Sequence, residues 1–439
     1  MTNAMKQPVA VLMTAVLAYG ASMLAPAAAW SQSKDQQAEE QSSSAEKKRV
    51  RRAQTLRPHI YKKLDAARAL SDEKKYAEAI EALNAVEKIK RNSYEQAMTH
   101  NMFAYVYFNQ EDYKKAIGAY KNVVATKNIP ESLEQTTLYS LAKLYLIQED
   151  YKNALAELNK WFAMVEKPNA EAFILRAQMQ FQLEKYQQAL PDVKKAIAMT
   201  KEQGNQPKEN WLLLERAVYY QNKDFKNLAR CLQDLSTLYP KAQYWVQLAA
   251  VYSELGQPLK ELAALETAHE QGLLSKESEL VNLAQALLGQ EIPYKAAAIL
   301  EDGMKDKKIE ASAKNLSLLG DAWMLAKEYD KAIVVMAKAA EASQAGKDFY
   351  KLAQIHTERQ EWKLALNNVD KALKLGKLQQ PSAAYILKGL ILFNLDDLPY
   401  ARDSFEEAQK FAEAEKMADQ WLRYIDGEQK RREYMAANN

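Results

Sequence analysis

A short phrase occurs twice in this chain. Residues 110–120 read QEDYKKAIGAY, and residues 148–158 read QEDYKNALAEL. Weaker copies are KKYAEAI, EKYQQAL, KDFKNLA, KEYDKAI and QEWKLAL, which begin at residues 74, 184, 223, 327 and 360. Variants with proline are QPLKELAAL, IPYKAAAIL and LPYARDSF, which begin at residues 257, 292 and 398. Most copies place an aromatic residue three positions before a small or aliphatic one, so the phrase belongs to a repeated structural unit.

The copies follow a nearly constant period. The residues that mark the same position in each copy are Ala79, Ala116, Ala154, Ala189, Leu228, Glu261, Ala296, Ala332, Ala365 and Ala401, at intervals of 33 to 39 residues. A second apolar pattern precedes the markers, and its central small residues are Ala67, Ala104, Ala142, Ala177, Ala249, Ala284, Gly320, Ala353 and Gly389. Both patterns have helical spacing, so the sequence predicts pairs of helices that must stack to bury their apolar faces.

This ladder of small and aromatic residues resembles the tetratricopeptide repeat family over about residues 60 to 410. The resemblance implies an all-α, right-handed superhelical solenoid of about ten helical hairpins. Arg216, Leu228 and Glu261 replace expected small residues, so we expect looser packing in the fifth and sixth hairpins. The apolar stripe Phe411, Met417, Trp421, Tyr424 and Ile425 favours a C-terminal capping helix over a membrane-binding one.

The predicted domains are a signal peptide over residues 1–29, a disordered leader over 30–55, an N-terminal array over 56–200, a connecting loop over 201–209 that could act as a hinge, a C-terminal array over 210–410, and a capping helix and tail over 411–439. The signal is predicted because an uncharged stretch over 8–25 precedes Ala27-Ala28-Ala29, which favours cleavage after Ala29. An uncleaved membrane anchor is the alternative, because that stretch is just long enough to span a bilayer. With cleavage we expect no membrane span.

Composition and motifs argue against several functions. The formal charge of +3 gives no global field for nucleic acid, and the single cysteine, Cys231, cannot form an internal disulfide. Its helical neighbours predict a buried apolar role for that thiol. The four histidines are scattered, and no GxSxG, HExxH or Gly-rich phosphate loop occurs. We therefore expect neither an enzyme, nor a metal site, nor a cofactor.

A binding surface is expected on the first helix of each hairpin, opposite its small-residue seam. Residues spaced i, i+4 and i+7 share one face of a helix. The predicted partner-binding residues on that face are Asn101, Tyr105, Phe108, Tyr139, Lys143, Phe181, Tyr220, Tyr350 and Phe393. Such a face suits an extended peptide or an amphipathic helix. The alternative is that these side chains only pack against the adjacent hairpin.

These features predict a periplasmic scaffold that binds a protein or peptide partner. More narrowly, the N-terminus, the leader, the PYKAAAIL-type repeats and the length resemble tetratricopeptide proteins that accompany TonB energy-transduction systems of marine gammaproteobacteria. That resemblance implies an accessory role in uptake across the outer membrane, through contact with TonB or another envelope protein. An envelope-assembly scaffold or chaperone with broad client binding is the alternative. The sequence leaves the oligomeric state open.

Overall fold

Residues 55–437 are described by a computed structural model, and within this range every regular element is a helix. The helices are α1 (Pro58–Asp72), α2 (Tyr76–Glu87), α3 (Ser93–Asn109), α4 (Tyr113–Ala125), α5 (Glu131–Ile147), α6 (Tyr151–Met164), α7 (Ala170–Gln182), α8 (Tyr186–Glu202), α9 (Glu209–Gln221), α10 (Phe225–Leu238), α11 (Ala242–Glu254), α12 (Pro258–Glu270), α13 (Glu277–Gly289), α14 (Pro293–Lys305), α15 (Ala313–Leu325), α16 (Tyr329–Ser343), α17 (Gly346–Glu358), α18 (Trp362–Leu375), α19 (Pro381–Asn394), α20 (Leu398–Gln409) and α21 (Glu415–Ala437). The predicted all-α class is confirmed for the described range.

The first twenty helices pair into ten hairpins, and successive hairpins within each part of the chain pack on one another. The chain divides into two compact units between Tyr239 and Pro240. The first unit holds α1 to α10, and the second holds α11 to α21. The predicted connecting loop 201–209 joins α8 to α9 inside the first unit, and its role as a hinge stays a prediction. The predicted signal peptide and almost all of the leader lie outside the described residues.

The repeated phrase forms the turn inside each hairpin and starts its second helix. Between α3 and α4, the Asp112 N–H donates to the Tyr107 carbonyl at 2.9 Å, which is the bond of a Schellman motif. The Asp112 carboxylate then accepts from the Lys115 N–H at 3.1 Å and caps α4. Between them, Glu111 has a φ of 62°. The same left-handed position recurs in all ten turns, at Lys74, Glu111, Glu149, Glu184, Lys223, Gly256, Glu291, Lys327, Gln360 and Asp396.

Small residues form the seam between the two helices of a hairpin. Ala104 and Ala116 are fully buried in the second hairpin, as the sequence predicted. In the tenth hairpin the seam is tighter: a Cβ placed on Gly389 would lie 2.6 Å from the ring of Phe405. Real Cβ atoms do not approach other heavy atoms so closely, and therefore glycine is required at this position.

The expected loosening is pronounced in the fifth hairpin and weaker in the sixth. The fifth hairpin, which contains Arg216 and Leu228, is the most sparsely packed of the ten. The sixth packs about as closely as the first and less closely than most of the others. Glu261 stays half-exposed, and the adjacent Leu262 fills the buried position with 5% exposure. A shift of burial by one residue therefore accommodates the glutamate.

The last helix, α21, closes the second unit. Its Trp421 ring stacks on Phe405 at 5.5 Å with an interplanar angle of 4°, and Ala418 and Ile425 are fully buried. Of the apolar stripe predicted from the sequence, Phe411, Trp421 and Ile425 pack against the final hairpin, whereas Met417 and Tyr424 are 53% and 57% exposed. Across residues 55–437, no helix has both the length and the apolar character needed to cross a membrane.

Candidate functional site

We use the term first-helix face for one side of the first helix of each hairpin. It is formed by three residues, which lie three positions before, one position after and four positions after the central small residue of that helix. In the second hairpin these are Asn101, Tyr105 and Phe108 of α3, and all three are half-exposed. In the third hairpin, Tyr139 and Lys143 of α5 are also half-exposed. The helical spacing puts each set on one side of its helix. Large side chains therefore remain partly open to solvent on this part of the first unit.

Tyr105 links the faces of the first two hairpins. Its hydroxyl donates to the Asp72 Oδ1 at 2.5 Å, and the Arg68 Nε lies 3.7 Å from the same carboxylate. Nearby, the Asn109 side chain donates to the Ser71 hydroxyl at 3.1 Å. Burial and then the bond to Asp72 raise the pKa of Tyr105, so the phenol stays protonated at neutral pH. These bonds hold the Tyr105 ring in one orientation.

Lys143 places a cation over one aromatic ring. Its Nζ lies 4.8 Å from the centroid of the Tyr139 ring, which is 5.0 Å from the Trp161 ring. Burial lowers the pKa of Lys143 and raises the pKa of Tyr139 to about 12. No carboxylate of residues 55–437 forms a salt bridge with this ammonium. Lys143 is therefore a half-buried cation held by a ring face alone.

The other predicted aromatic residues of the first unit differ in exposure. Phe108 packs against Tyr113, the residue that opens α4, with ring centroids 5.8 Å apart. Phe181 makes the equivalent contact with Tyr186 at 5.2 Å but is only 5% exposed, so its ring fills the hairpin. Tyr220 is 38% exposed. The structure therefore agrees with the packing alternative at Phe181 and leaves the Tyr220 side chain open.

In the second unit, the two predicted residues have neighbours within their own unit. Tyr350 is half-exposed and packs against the buried cluster of Ala340, Phe349 and Ala372. The Phe393 ring contacts Trp421 at 5.6 Å and Tyr424 at 5.5 Å, so α21 covers part of it. A partner could reach Phe393 only beside these two rings. Partner binding by the nine predicted residues stays a prediction.

A polar cavity of about 540 Å³ in the second unit was missed by sequence reasoning. It lies between α13 and α15 and is lined in part by Ser278, Val281, Asn282, Gln285, Lys314 and Asn315. The sequence contained a signal for these residues. Val281 lies three positions before the small residue Ala284, and Gln285 lies one position after it, so both occupy the first-helix face. The predicted partner-binding residues include none from this hairpin.

Clusters of metal-ligating side chains and the sole cysteine are two places where chemistry could occur. Within residues 55–437, no group of three His, Cys, Asp or Glu side chains could hold a metal ion. Cys231 is 4% exposed, and its thiol donates to the Leu212 carbonyl at 3.3 Å. Burial is the main cause that raises the pKa of Cys231 well above its usual value, which suppresses the reactive thiolate. The predicted buried, apolar role of this residue is consistent with its surroundings.

The stacked hairpins define a helical-repeat protein. Residues 101–161, which cover most of the second and third hairpins, match a tetratricopeptide repeat family model, and this match supports that family for the chain. The tetratricopeptide fold is one of protein–protein interaction scaffolds, and proteins built on it are generally non-enzymatic. The match over residues 101–161 is consistent with the helical repeat predicted from the sequence.

Solved structures with helical repeats are similar to this chain at low identity. The Naa15/Naa10 complex bound to HypK-THB matches with 13% identity and a TM-score of 0.40, covering 84% of this chain and 65% of the matched chain. The Cut9–Hcn1 hetero-tetramer of APC/C matches with 13% identity and a TM-score of 0.33, covering 83% of each chain. YrrB, described as a TPR protein with an unusual peptide-binding site, matches with 17% identity and a TM-score of 0.34, covering 43% and 90%. No curated protein matches the chain.

Proposed function

We propose that the chain is an exported scaffold that binds a peptide or a helix of another envelope protein on the first-helix face of its first unit. The observation that carries the proposal is the group formed by Tyr105, Phe108, Tyr139 and Lys143. Their three aromatic rings are half-exposed on the first helices of two consecutive hairpins, and the half-buried Lys143 ammonium lies over the Tyr139 ring with no salt bridge to a carboxylate of residues 55–437. Aromatic anchors of this kind dominate the binding energy of protein interfaces.

The chemistry of this face defines the partner segment. The rings of Tyr105, Phe108 and Tyr139 supply apolar area, and their few rotatable bonds lose little entropy on binding. Lys143 has already lost part of its hydration, so an acidic side chain of the partner would gain a charge-assisted hydrogen bond. The Asn101 amide can both donate and accept a bond to a peptide main chain. The expected segment is therefore apolar, with one acidic residue.

The periplasm is the proposed location of the protein, and a component of a TonB system is its proposed partner. The order of charged, apolar and small residues over 1–29 supports export. The resemblance to tetratricopeptide proteins that accompany TonB systems supports the partner. In this proposal the scaffold holds TonB or an associated protein during uptake across the outer membrane.

Export is tested by osmotic-shock fractionation of cells that produce the full chain, with N-terminal sequencing of the recovered protein. The expected result is a periplasmic protein that begins at Trp30. Recovery of the uncleaved chain with the inner membrane would contradict the periplasmic proposal and would favour the anchor alternative. A cytoplasmic marker protein in the same fractions controls for lysis.

Binding is tested by capture from envelope extracts with the mature chain, followed by calorimetry with each recovered protein. Tyr105→Ala and Lys143→Gln should each weaken the complex, and Tyr105→Ala should do so by about tenfold, as expected for an interface anchor. Tyr400→Ala is the matched control, because Tyr400 is 64% exposed at the start of α20 in the second unit. Equal affinity of all three variants and the unsubstituted chain would remove this face from the proposal. Weak binding to many unrelated proteins would favour the chaperone alternative.

A further inference from the structure

The second helices of hairpins two to five are basic. These helices, α4, α6, α8 and α10, hold ten lysine and arginine residues against four aspartate and glutamate residues, which is a formal charge of +6. The second helices of the second unit, α12, α14, α16, α18 and α20, hold nine against eleven, which is a formal charge of −2. In α2 the three charged residues are all glutamates. The positive charge is therefore a local feature of four successive hairpins in the first unit.

Most of these cations lie on the outer side of their helices. The helices α4, α6 and α8 each pack between the first helices of two successive hairpins, and their marker residues, such as Ala116, are fully buried. We use the term outer stripe for the residues two before and two, five and nine after each marker, which the helical period places opposite the buried side. All sixteen of these residues except Ala198 are exposed. The cations among them are Lys114, Lys121, Lys152, Lys194, Lys226 and Arg230.

The outer stripe contains no carboxylate at any of its sixteen positions. Within residues 55–437, none of its five lysines forms a salt bridge. Beside the outer stripe, Glu157 pairs with Lys160 at 2.9 Å, and Asp234 pairs with Lys201 at 3.1 Å. The acidic residues of the turns precede the second helices and do not lie along the stripe. The described carboxylates therefore leave these five lysines to ions of the solvent or to a charged partner.

Small residues lie between the cations of the outer stripe. They include Gly118, Ala156 and Ala163, and the stripe holds no aromatic or large aliphatic side chain. Protein interfaces usually depend on such side chains as anchors, and single-stranded nucleic acids stack on aromatic rings. A surface of phosphate groups needs only cations, because lipids diffuse laterally until their headgroups lie beside the charges. The composition of the outer stripe therefore favours an anionic bilayer over a protein or a nucleic acid.

We propose that the outer stripe attaches the first unit to the surface of a bilayer that contains anionic phospholipids. The ammonium groups lie against the lipid phosphates, and the small residues between them allow the helices to approach the headgroups. No side chain of the outer stripe is large and apolar enough to insert among the acyl chains, so the attachment is peripheral and electrostatic. The first-helix face lies on the other helix of each hairpin, and the two surfaces share no residue.

The test is co-sedimentation of the mature chain with two kinds of vesicle. One consists of phosphatidylcholine alone, and the other consists of phosphatidylcholine and phosphatidylglycerol in equal parts. In every protein tested, glutamine replaces the five basic residues of 47–52, so that the leader cannot supply the charge. The expected result is binding to the vesicles with phosphatidylglycerol only, and this binding is lost between about 0.1 and 0.5 M salt because the charges are screened.

Two triple variants with the same change in net charge localise the binding. The first removes three cations of the outer stripe, by Lys152→Gln, Lys194→Gln and Lys226→Gln. It should lower the partition coefficient by at least about tenfold, since each lysine near an anionic surface contributes about fivefold. The second is the matched control and removes exposed cations at the same positions of the second unit, by Lys305→Gln, Lys363→Gln and Lys374→Gln. It should lower the coefficient by less than about twofold.

Several results would overturn the proposal. These are no binding to the anionic vesicles, equal losses in the two triple variants, or binding that persists at high salt. Tighter binding of a single-stranded oligonucleotide at the same phosphate concentration would instead assign the outer stripe to nucleic acid. A salt-sensitive oligomer of the chain without vesicle binding would assign it to a second copy. No protein partner takes part in the assay, so its outcome is independent of binding at the first-helix face.

Discussion

The two units have the same hairpin seam but differ on the first-helix face. In the first unit, Tyr105, Tyr139 and Lys143 leave rings and a cation half-exposed. In the eighth and ninth hairpins of the second unit, Ser317 donates to Asp348 at 2.9 Å, and Lys351 pairs with Asp321 at 2.6 Å. There the polar groups satisfy one another.

This difference shows which positions the fold constrains. Seam residues such as Ala104 and Ala353 are fully buried in both units, because the two helices of a hairpin must approach closely. Face residues make fewer contacts, so their chemistry can vary without loss of the hairpin. A repeat scaffold can therefore acquire a new recognition surface in one unit while the other stays unchanged.

The largest expected effect distinguishes two glycine seams of the second unit. Gly389→Ala should destabilise α19 and α20, because the new Cβ would overlap the buried Phe405 ring, which stacks on Trp421. Overpacking of about 3 kcal/mol, offset by about 1 kcal/mol of helix propensity, leaves a net loss of about 2 kcal/mol. Hydrogen exchange of α19 measures the loss.

Gly320→Ala is the matched control for this prediction. Its Cβ would first meet the Met336 Cε, the end of a flexible side chain, at 2.5 Å. The smaller strain should be offset by the gain in helix propensity. Equal destabilisation by the two changes would contradict the claim that a rigid ring sets the glycine requirement.

A smaller effect is expected at a buried carboxylate of the first unit. Glu95 is fully buried and accepts from the Arg57 Nε at 2.7 Å and from the Asn92 N–H at 3.1 Å. Glu95→Gln places an amide nitrogen against these donors and should cost about 1.5 kcal/mol in urea unfolding. Glu279→Gln in the second unit should cost less, since Glu279 accepts from two backbone N–H groups and has no arginine partner.

The same carboxylate predicts a pH dependence. The hydrogen bond from Arg57 is the main cause that lowers the pKa of Glu95 to about 2, against 4.5 in the unfolded chain. Its contribution is therefore fully present above pH 4.5 and is lost as the pH falls toward 2. Hydrogen exchange between pH 6 and 3 measures how strongly acid destabilises the first two hairpins. In Glu95→Gln, part of this acid sensitivity should be lost. An identical pH profile in both proteins would contradict this assignment.

The next effect concerns the cation of the first-unit face. Lys143→Gln should weaken the complex with the partner about fivefold, which is about 1 kcal/mol, without lowering stability. Calorimetry at low and high salt checks the change, because the loss should shrink as salt screens the charge. Lys152→Gln, on the exposed side of α6, should leave affinity unchanged. A salt-independent loss would assign Lys143 a packing role instead.

The smallest effects are expected in the hairpin turns. Nine of the ten turns hold a residue other than glycine at a φ of 56° to 64°, and the turn of the sixth hairpin holds Gly256. Glu149→Gly in the first unit should stabilise by about 0.7 kcal/mol, and Gly256→Ala in the second should destabilise by about as much. Thermal unfolding of each variant tests whether both units tolerate the same strain. Changes of the same sign would show that the turns are not equivalent.

The fold was predictable because its signals are local and repeated. The phrase at 110–120 contains the capping aspartate and the aromatic residue that opens the second helix, and α4 begins at Tyr113 as expected. The central small residues gave the register of each first helix in the same way. The ten copies differ in sequence but share one period, so departures such as Glu261 do not obscure that period.

The candidate sites were less predictable, since exposure depends on contacts between elements. The sequence marks Phe181 and Phe108 alike, yet only Phe181 is buried. Phe393 occupies the same register, but α21 places Trp421 and Tyr424 against it. The cavity beside Gln285 exists because two helices leave a gap, and no residue pattern encodes a gap.

The burial of Cys231 has a practical consequence for spectroscopy. Its thiol is shielded and its thiolate is disfavoured, so alkylating dyes should not label the folded chain. A pair of surface thiols, for example Lys152→Cys and Lys363→Cys, would then take up a donor and an acceptor fluorophore cleanly. Energy transfer between the dyes would measure the distance between the two labelled positions in solution, with no native sulfur to remove first.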